Sequence, residues 1–229
     1  MRTTTLLLAS VILLLSSCGK TTGNYSIDGN VSSIANVGTV NLSTFNDSGS
    51  ISPLVHCAVE NGRFCINGTA DECKAAYVSC IISGKEVGSI LFIENGKIEV
   101  SLDTLTCRIG GTPLNELHNA VEDSIAFYIA RLDNIEKQYY DRGKSETELM
   151  RLAVQGLALQ EALVSYLRRT IEENVVNAFG LYMLVVYDGL FSDAELRSLI
   201  ERIPAATTHS GITPFYNMLL TIAENRAQK

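Results

Sequence analysis

The chain has 229 residues, 46% hydrophobic and 19% charged, with no Trp, six Cys and four Pro. That composition excludes a disordered tail, a collagen-like repeat and a small disulfide-dense scaffold. A formal charge of −7 argues against nucleic-acid binding, which needs a basic face.

Met1–Ser17 reads as an export signal: Arg2 is its sole positive charge, and Leu6–Leu15 is apolar apart from Ser10. Leu15-Ser16-Ser17-Cys18 has the form of a bacterial lipobox, in which the Cys sulfur receives a diacylglyceryl group. The apolar run is about half the roughly 20 residues needed to cross a bilayer core. Cys18 is therefore the expected lipidation site, tethering the chain to a membrane without spanning it. Gly19-Lys20-Thr21 lacks an acidic run, which points the anchored chain towards the periplasm. Removing the 17 residues before Cys18 leaves 212, with a charge of −8 because Arg2 is lost. Later in the chain, the longest apolar stretch, Leu181–Tyr187, is too short to span.

From Tyr25 to about Gly111 hydrophobicity alternates with period two, which predicts strands. Tyr25–Val31, Gly38–Phe45, Ala76–Ser83 and Leu102–Ile109 are four of them. Two Asn-Gly pairs, Asn61-Gly62 and Asn95-Gly96, predict hairpins with type I′ turns. The first would pair Glu60 with Arg63, Val59 with Phe64, Ala58 with Cys65 and Cys57 with Ile66. Val55, Cys57, Val59, Phe64 and Ile66 then share one apolar face. The second would pair Glu94 with Lys97, Ile93 with Ile98 and Leu91 with Val100. Short, evenly spaced strands of this kind predict an antiparallel sandwich or barrel over 18–111.

Gly110-Gly111-Thr112-Pro113 marks the change of period, with Thr112 as N-cap and Pro113 at the first helical position. Leu114, Leu117, Val121, Ile125, Tyr128, Leu132, Ile135 and Tyr139 form a helical stripe that Gly143 ends. Ser145–Glu148 is a capping box opening a second helix, with Leu149, Leu152, Gly156, Leu159, Leu163 and Tyr166 as its stripe. Asn177–Asp188 is apolar all round and so the most buried helix. Ser192–Glu195 is another capping box, Pro204 ends its helix, and Thr213-Pro214 starts the last. Strands first and helices after, over 112–229, predict an α+β fold.

The five cysteines besides Cys18 are Cys57, Cys65, Cys73, Cys80 and Cys107. There is no C-x-x-C, which a redox pair uses to lower a thiol pKa, and no close ligand pair for zinc. Strand phase turns Cys57, Cys80 and Cys107 towards the core and puts Cys57 and Cys65 on opposite faces. The expected role is apolar core filling. One disulfide, Cys73–Cys80 or Cys57–Cys80, stays open, and an odd count leaves at least one thiol free.

His56 lies on a strand, His118 beside the first helical stripe and His209 in a polar loop. No nucleophile elbow, zincin motif or phosphate loop accompanies them, so His118 is read as a surface or packing residue. Glu122-Asp123 and Glu172-Glu173 read as solvated helix faces. Asp47-Ser48-Gly49-Ser50 reads as a turn and not as a phosphate cradle. Tyr139-Tyr140, Tyr182 and Tyr187 could line a groove, with core packing the plainer reading. No catalytic residue, cofactor or metal is expected.

Val59-Glu60-Asn61-Gly62-Arg63-Phe64, Ile66–Asp71, Ala76-Tyr77-Val78, Phe92–Ile98 and Gly111-Thr112-Pro113-Leu114-Asn115 together resemble a particular module. It is the N-terminal domain of unknown function of Bacteroides-type thiol-disulfide oxidoreductase lipoproteins. The resemblance runs over roughly residues 22 to 228 and is strongest over about 55 to 118. It implies a lipobox, a small β-sandwich, a helical region and then a thioredoxin-like domain with W-C-x-x-C. That last domain would begin where this sequence stops, at Gln228-Lys229. Without a C-x-x-C, no catalytic cysteine can be carried over, and Cys57, Cys65 and Cys73 fall where the family usually shows Ser, Thr or Pro. The expectation is a lipid-anchored, non-catalytic binding or scaffolding protein that engages the membrane through Cys18 and has a protein partner. The alternatives are a redox accessory to a separate thioredoxin-like protein and a truncated oxidoreductase.

Overall fold

A computed structural model describes residues 23–32, 38–46, 49–204 and 213–228. The expected export signal, Cys18, Asp47, Ser48 and His209 lie outside the described residues. The fold is α+β as the sequence predicts. Eight strands come first: β1 (Tyr25–Val31), β2 (Thr39–Phe45), β3 (Ile51–Ala58), β4 (Arg63–Gly68), β5 (Lys74–Ile82), β6 (Lys85–Ile93), β7 (Gly96–Leu102) and β8 (Cys107–Gly110). Five helices follow: α1 (Pro113–Tyr140), α2 (Glu146–Asn174), α3 (Ala178–Val186), α4 (Asp193–Glu201) and α5 (Thr213–Ala227).

The strands form two four-stranded sheets, β4-β1-β7-β8 and β3-β2-β5-β6. Alternation supplies the core between them. Ile27, Phe64, Ile66, Ile98 and Val100 come from the first sheet, Val40, Leu42, Val78, Leu91 and Ile93 from the second. Gly29 makes room within this layer. A Cβ there would meet the tip of the Phe64 ring at 2.0 Å, so the missing side chain leaves room for the ring against β1.

Both Asn-Gly hairpins are corrected by the structure. Asn61 (φ 51°) and Gly62 (φ 73°) do adopt the left-handed conformations of a type I′ turn. Pairing stops at the single Glu60–Arg63 bridge, because β3 pairs with β2 and β4 with β1. Asn95-Gly96 likewise joins β6 of one sheet to β7 of the other. β7 instead runs parallel to β1, with Tyr25 opposite Gly96 and Val31 opposite Leu102. The shared apolar face of Val55, Cys57, Val59, Phe64 and Ile66 is real, but it converges from two sheets onto one core. The predicted strand Leu102–Ile109 is in fact the end of β7, a turn and β8. True hairpins join β2 to β3, β5 to β6 through Ser83-Gly84, and β7 to β8.

A second core lies on the outer face of the β3-β2-β5-β6 sheet. Ala75 and Phe92 pack there beneath Val121, Ile171, Phe179, Leu181, Leu184, Leu196 and Phe215. α3 contributes six buried residues in nine, so the helix that is apolar all round is indeed deeply packed. Both capping boxes form as read, at Ser145–Glu148 and Ser192–Glu195. Glu195 also takes a hydrogen bond from Arg168, and these donors hold its carboxyl down at about 2. Arg226 fixes α5 by donating to the Phe191 carbonyl and pairing with Asp188.

The joint between the layers is Asn115, which is 1% exposed. β6 is an edge strand, and the main chain of Phe92 has no further strand to bond. The Phe92 N–H donates to Asn115 Oδ1 (2.9 Å), and Asn115 Nδ2 donates to the Phe92 carbonyl (2.7 Å) and to Thr112 Oγ1 (2.7 Å). One side-chain amide thus stands in for a missing strand. Asn115→Ala orphans a buried donor and acceptor, and is expected to cost at least about 2 kcal/mol. Urea unfolding monitored by circular dichroism measures it.

Candidate functional site

One turn beyond Asn115 on the same helix face sits His118, its side chain 8% exposed. The ring meets Phe92 of β6 and Tyr182 of α3 edge-on, at centroid separations of 5.8 Å each, and Phe179 at 6.2 Å. The sequence leaves open whether His118 is surface or packing; the structure makes it the hub of an aromatic cluster. Its Nε2 has no hydrogen-bond partner, and the nearest charge is the Glu122 carboxylate at 3.7 Å. Burial pushes the imidazole pKa down, against a smaller upward pull from Glu122. The Tyr182 phenol is pushed up to about 12 by burial, then by Glu122 and Tyr187. Neutral groups meeting edge to face are a packing arrangement, worth roughly 1 kcal/mol per aromatic pair beyond burial.

Of the carboxylates read as solvated faces, Glu122, Asp123 and Glu173 are exposed, and Asp123 also makes a specific contact. Asp123 receives both guanidinium nitrogens of Arg108 (2.8 and 2.7 Å), which ties α1 to β8. Glu116 accepts from the Gly111 N–H, and Asn119 donates to the Ile109 carbonyl. Together these contacts run α1 back along β8, antiparallel to it. Of the other pair, the Glu172 carbonyl accepts from Arg202. His56 bonds Asn41 across β2 and β3 at 2.7 Å.

All five described cysteines are free thiols, so neither candidate disulfide forms. The geometry opposes Cys73–Cys80: Cys80 lies in the sandwich core, and Cys73 packs against the helical core. Cys57 and Cys107 line the sandwich core as their strand phase predicts. Burial pushes the Cys73 and Cys107 thiols up to about 12 and raises Cys80 as well. Cys65 turns outward, as expected, and its sulfur accepts from Asn67 at 3.4 Å. The Cys57 sulfur donates to the Cys65 carbonyl at 3.4 Å.

Cys57 and Cys65 border a groove of about 1350 Å³ along the β4-β1-β7-β8 sheet. Asp28, Arg63, Lys97, Glu99, Ser101 and Arg108, from successive strands, share its lining with apolar Phe64 and Val100. Much of that charge is already paired, Lys97 with Glu99 (3.0 Å) and Asp28 (3.5 Å). Among the described residues, no group of three or more His, Cys, Asp or Glu converges as a metal site, and no helix is long and apolar enough to cross a membrane.

Residues 25–118 match the family model described as Domain of unknown function (DUF4369). No curated protein matches the chain. The resemblance drawn from Asn61-Gly62, Phe92–Ile98 and Gly111–Asn115 to an N-terminal domain of unknown function is thereby borne out over those residues. The limits of the DUF4369 match have a physical meaning. It starts with β1 and ends on His118, so it includes the first six residues of α1, which carry Asn115 and reach into the aromatic cluster. Residues 119–229 lie outside it.

Phe92, Phe179 and Asn115 are the residues whose roles the sequence does not reveal. Asn115 lies in a quoted motif, yet only a buried amide one turn after the N-cap hints at its work. A buried imidazole with a lowered pKa binds protons more readily when the chain unfolds, so stability falls as pH drops below about 6.5. The carboxylates held low by ion pairs lose their contribution only at more acid pH. The unfolding temperature is expected to drop between pH 7 and pH 5, and His118→Phe to remove most of that drop; calorimetry across this range tests it.

Proposed function

We propose that this chain is a lipid-anchored cell-envelope protein, held to a membrane through Cys18, facing the periplasm and serving a non-catalytic binding role. The anchor rests on the sequence Leu15-Ser16-Ser17-Cys18 behind an apolar, weakly basic leader. Five residue steps separate Cys18 from Gly23 and can span at most about 18 Å. A lipid there keeps the start of β1 close to the membrane surface. Cys18→Ala is expected to move the protein from the membrane fraction to the soluble fraction; unchanged partitioning on ultracentrifugation defeats the anchor.

The observation that carries the non-catalytic reading is the state of the thiols. A nucleophilic or redox-active cysteine works as its thiolate, in electropositive and accessible surroundings. Cys73 and Cys107, held up at about 12, and Cys80 in the sandwich core are in the opposite environment. The second reading, an accessory to a separate thioredoxin-like protein, keeps only Cys57 and Cys65, half-buried together at the groove. Alkylation of the native protein at pH 8 is expected to label these two first. Cys73, Cys80 and Cys107 should follow only on unfolding, as peptide mass mapping would show. Insulin-reductase activity abolished by Cys57→Ser or Cys65→Ser would instead establish the accessory role.

A further inference from the structure

α1 leaves the body of the fold soon after its Arg108–Asp123 tie, and α2 returns beside it. At 1.5 Å per residue, the stretch from Asp123 to Tyr140 carries this helical hairpin about 25 Å beyond that tie. α2 meets α1 through Leu149, Leu152, Leu159 and Leu163, of which Leu152 is 1% exposed. Its opposite face is also apolar, and uncovered: Met150 is 64% exposed, Val154 59% and Leu157 62%.

The spacing on that outer face is specific. Met150, Val154, Leu157, Glu161 and Val164 follow one another at intervals of four, three, four and three. That is the heptad seam of a coiled coil, which packs against another helix. Ala153 and Ala158 flank the seam and leave room for a partner helix. Glu161 interrupts it with an exposed carboxylate for which no ion-pair partner is described among these residues. Arg151, beside the seam and one turn before Gln155, donates to that neighbour's side chain (3.0 Å) and lies within the field of Glu148, and no ion pair is described for it.

We propose that a second copy of this chain covers this face, with the two α2 helices antiparallel about a two-fold axis. In that register Val154 of each copy packs on Leu157 of the other, and Met150 on the stem of Glu161. Arg151 of each copy then stands level with Glu161 of the other, so one ion pair forms twice. The charges choose this orientation over the parallel one, which would set Glu161 against Glu161 in the middle of the seam. The proposal goes beyond the anchored binding role and does not depend on it.

Sedimentation equilibrium of the full-length protein in detergent, corrected for bound detergent, tests it. The wild type is expected to be a concentration-dependent dimer. Glu161→Arg and Arg151→Glu are each expected to weaken self-association roughly tenfold or more by creating two like-charge contacts, and the double reversal to restore it. These sites are exposed, so each variant is expected to fold, which circular dichroism checks. A wild type that stays monomeric leaves the face to another protein or a lipid surface and overturns the proposal. So does a dimer indifferent to either single reversal, or a double variant that fails to recover.

Discussion

The two halves of this structure meet at one buried edge, and a single amide satisfies it. β6 sends Leu91 and Ile93 into the sandwich core and Phe92 into the helical core, so one strand serves two hydrophobic layers. Its exposed edge would leave the Phe92 main chain unsatisfied under a roof of apolar side chains, a cost of the same order as a lost core methylene or more. Asn115 closes that edge while its helix delivers His118 and Val121 to the same face. The helical core can dock on the sheet because the sheet's own hydrogen bonds are complete there. The family match covers both Phe92 and Asn115, the two ends of this contact.

Sequence legibility followed the range of the interactions. Capping boxes at Ser145 and Ser192 depend on residues three apart, and both were readable. The inward positions of β1, β4 and β7 follow from period two alone. Strand partners do not, because alternation identifies the buried side of a strand without naming the sheet that buries it. Asn61-Gly62 shows the limit well: its local turn is as expected, yet the strands part immediately after Glu60 and Arg63. The stripe on α1 marks a helix that runs its full length, Pro113–Tyr140, without telling which of its members are buried. Val121 and Ile125 pack into the helical core, but Tyr139 stands exposed on the hairpin. His118 was invisible as a hub because its aromatic partners come from β6 and α3.

Burial decides the chemistry of most titratable groups of interest. It lowers the basicity of His118, raises the phenol of Tyr182 and raises three thiols. Each shift favours the uncharged form, as expected where the surroundings are apolar and partners are few. The charged groups instead act as fasteners at the rims. Arg108–Asp123 binds helix to strand, Arg168–Glu195 binds α2 to α4, and Arg226–Asp188 secures α5. Because each is partly solvated, geometry and not raw strength is their contribution.

The crossings at residues 59–62 and 94–95 also govern how the chain can reach this fold. Neither sheet is built from one continuous stretch, since β1 must find β4 on one side and β7 on the other. The first strand to be synthesised is therefore among the last to be completed, waiting for Leu102 to lie beside Val31. Such distant pairings close large loops before they return any contact energy, and they make folding slow relative to size. Any cut between β1 and β7 divides the β4-β1-β7-β8 sheet.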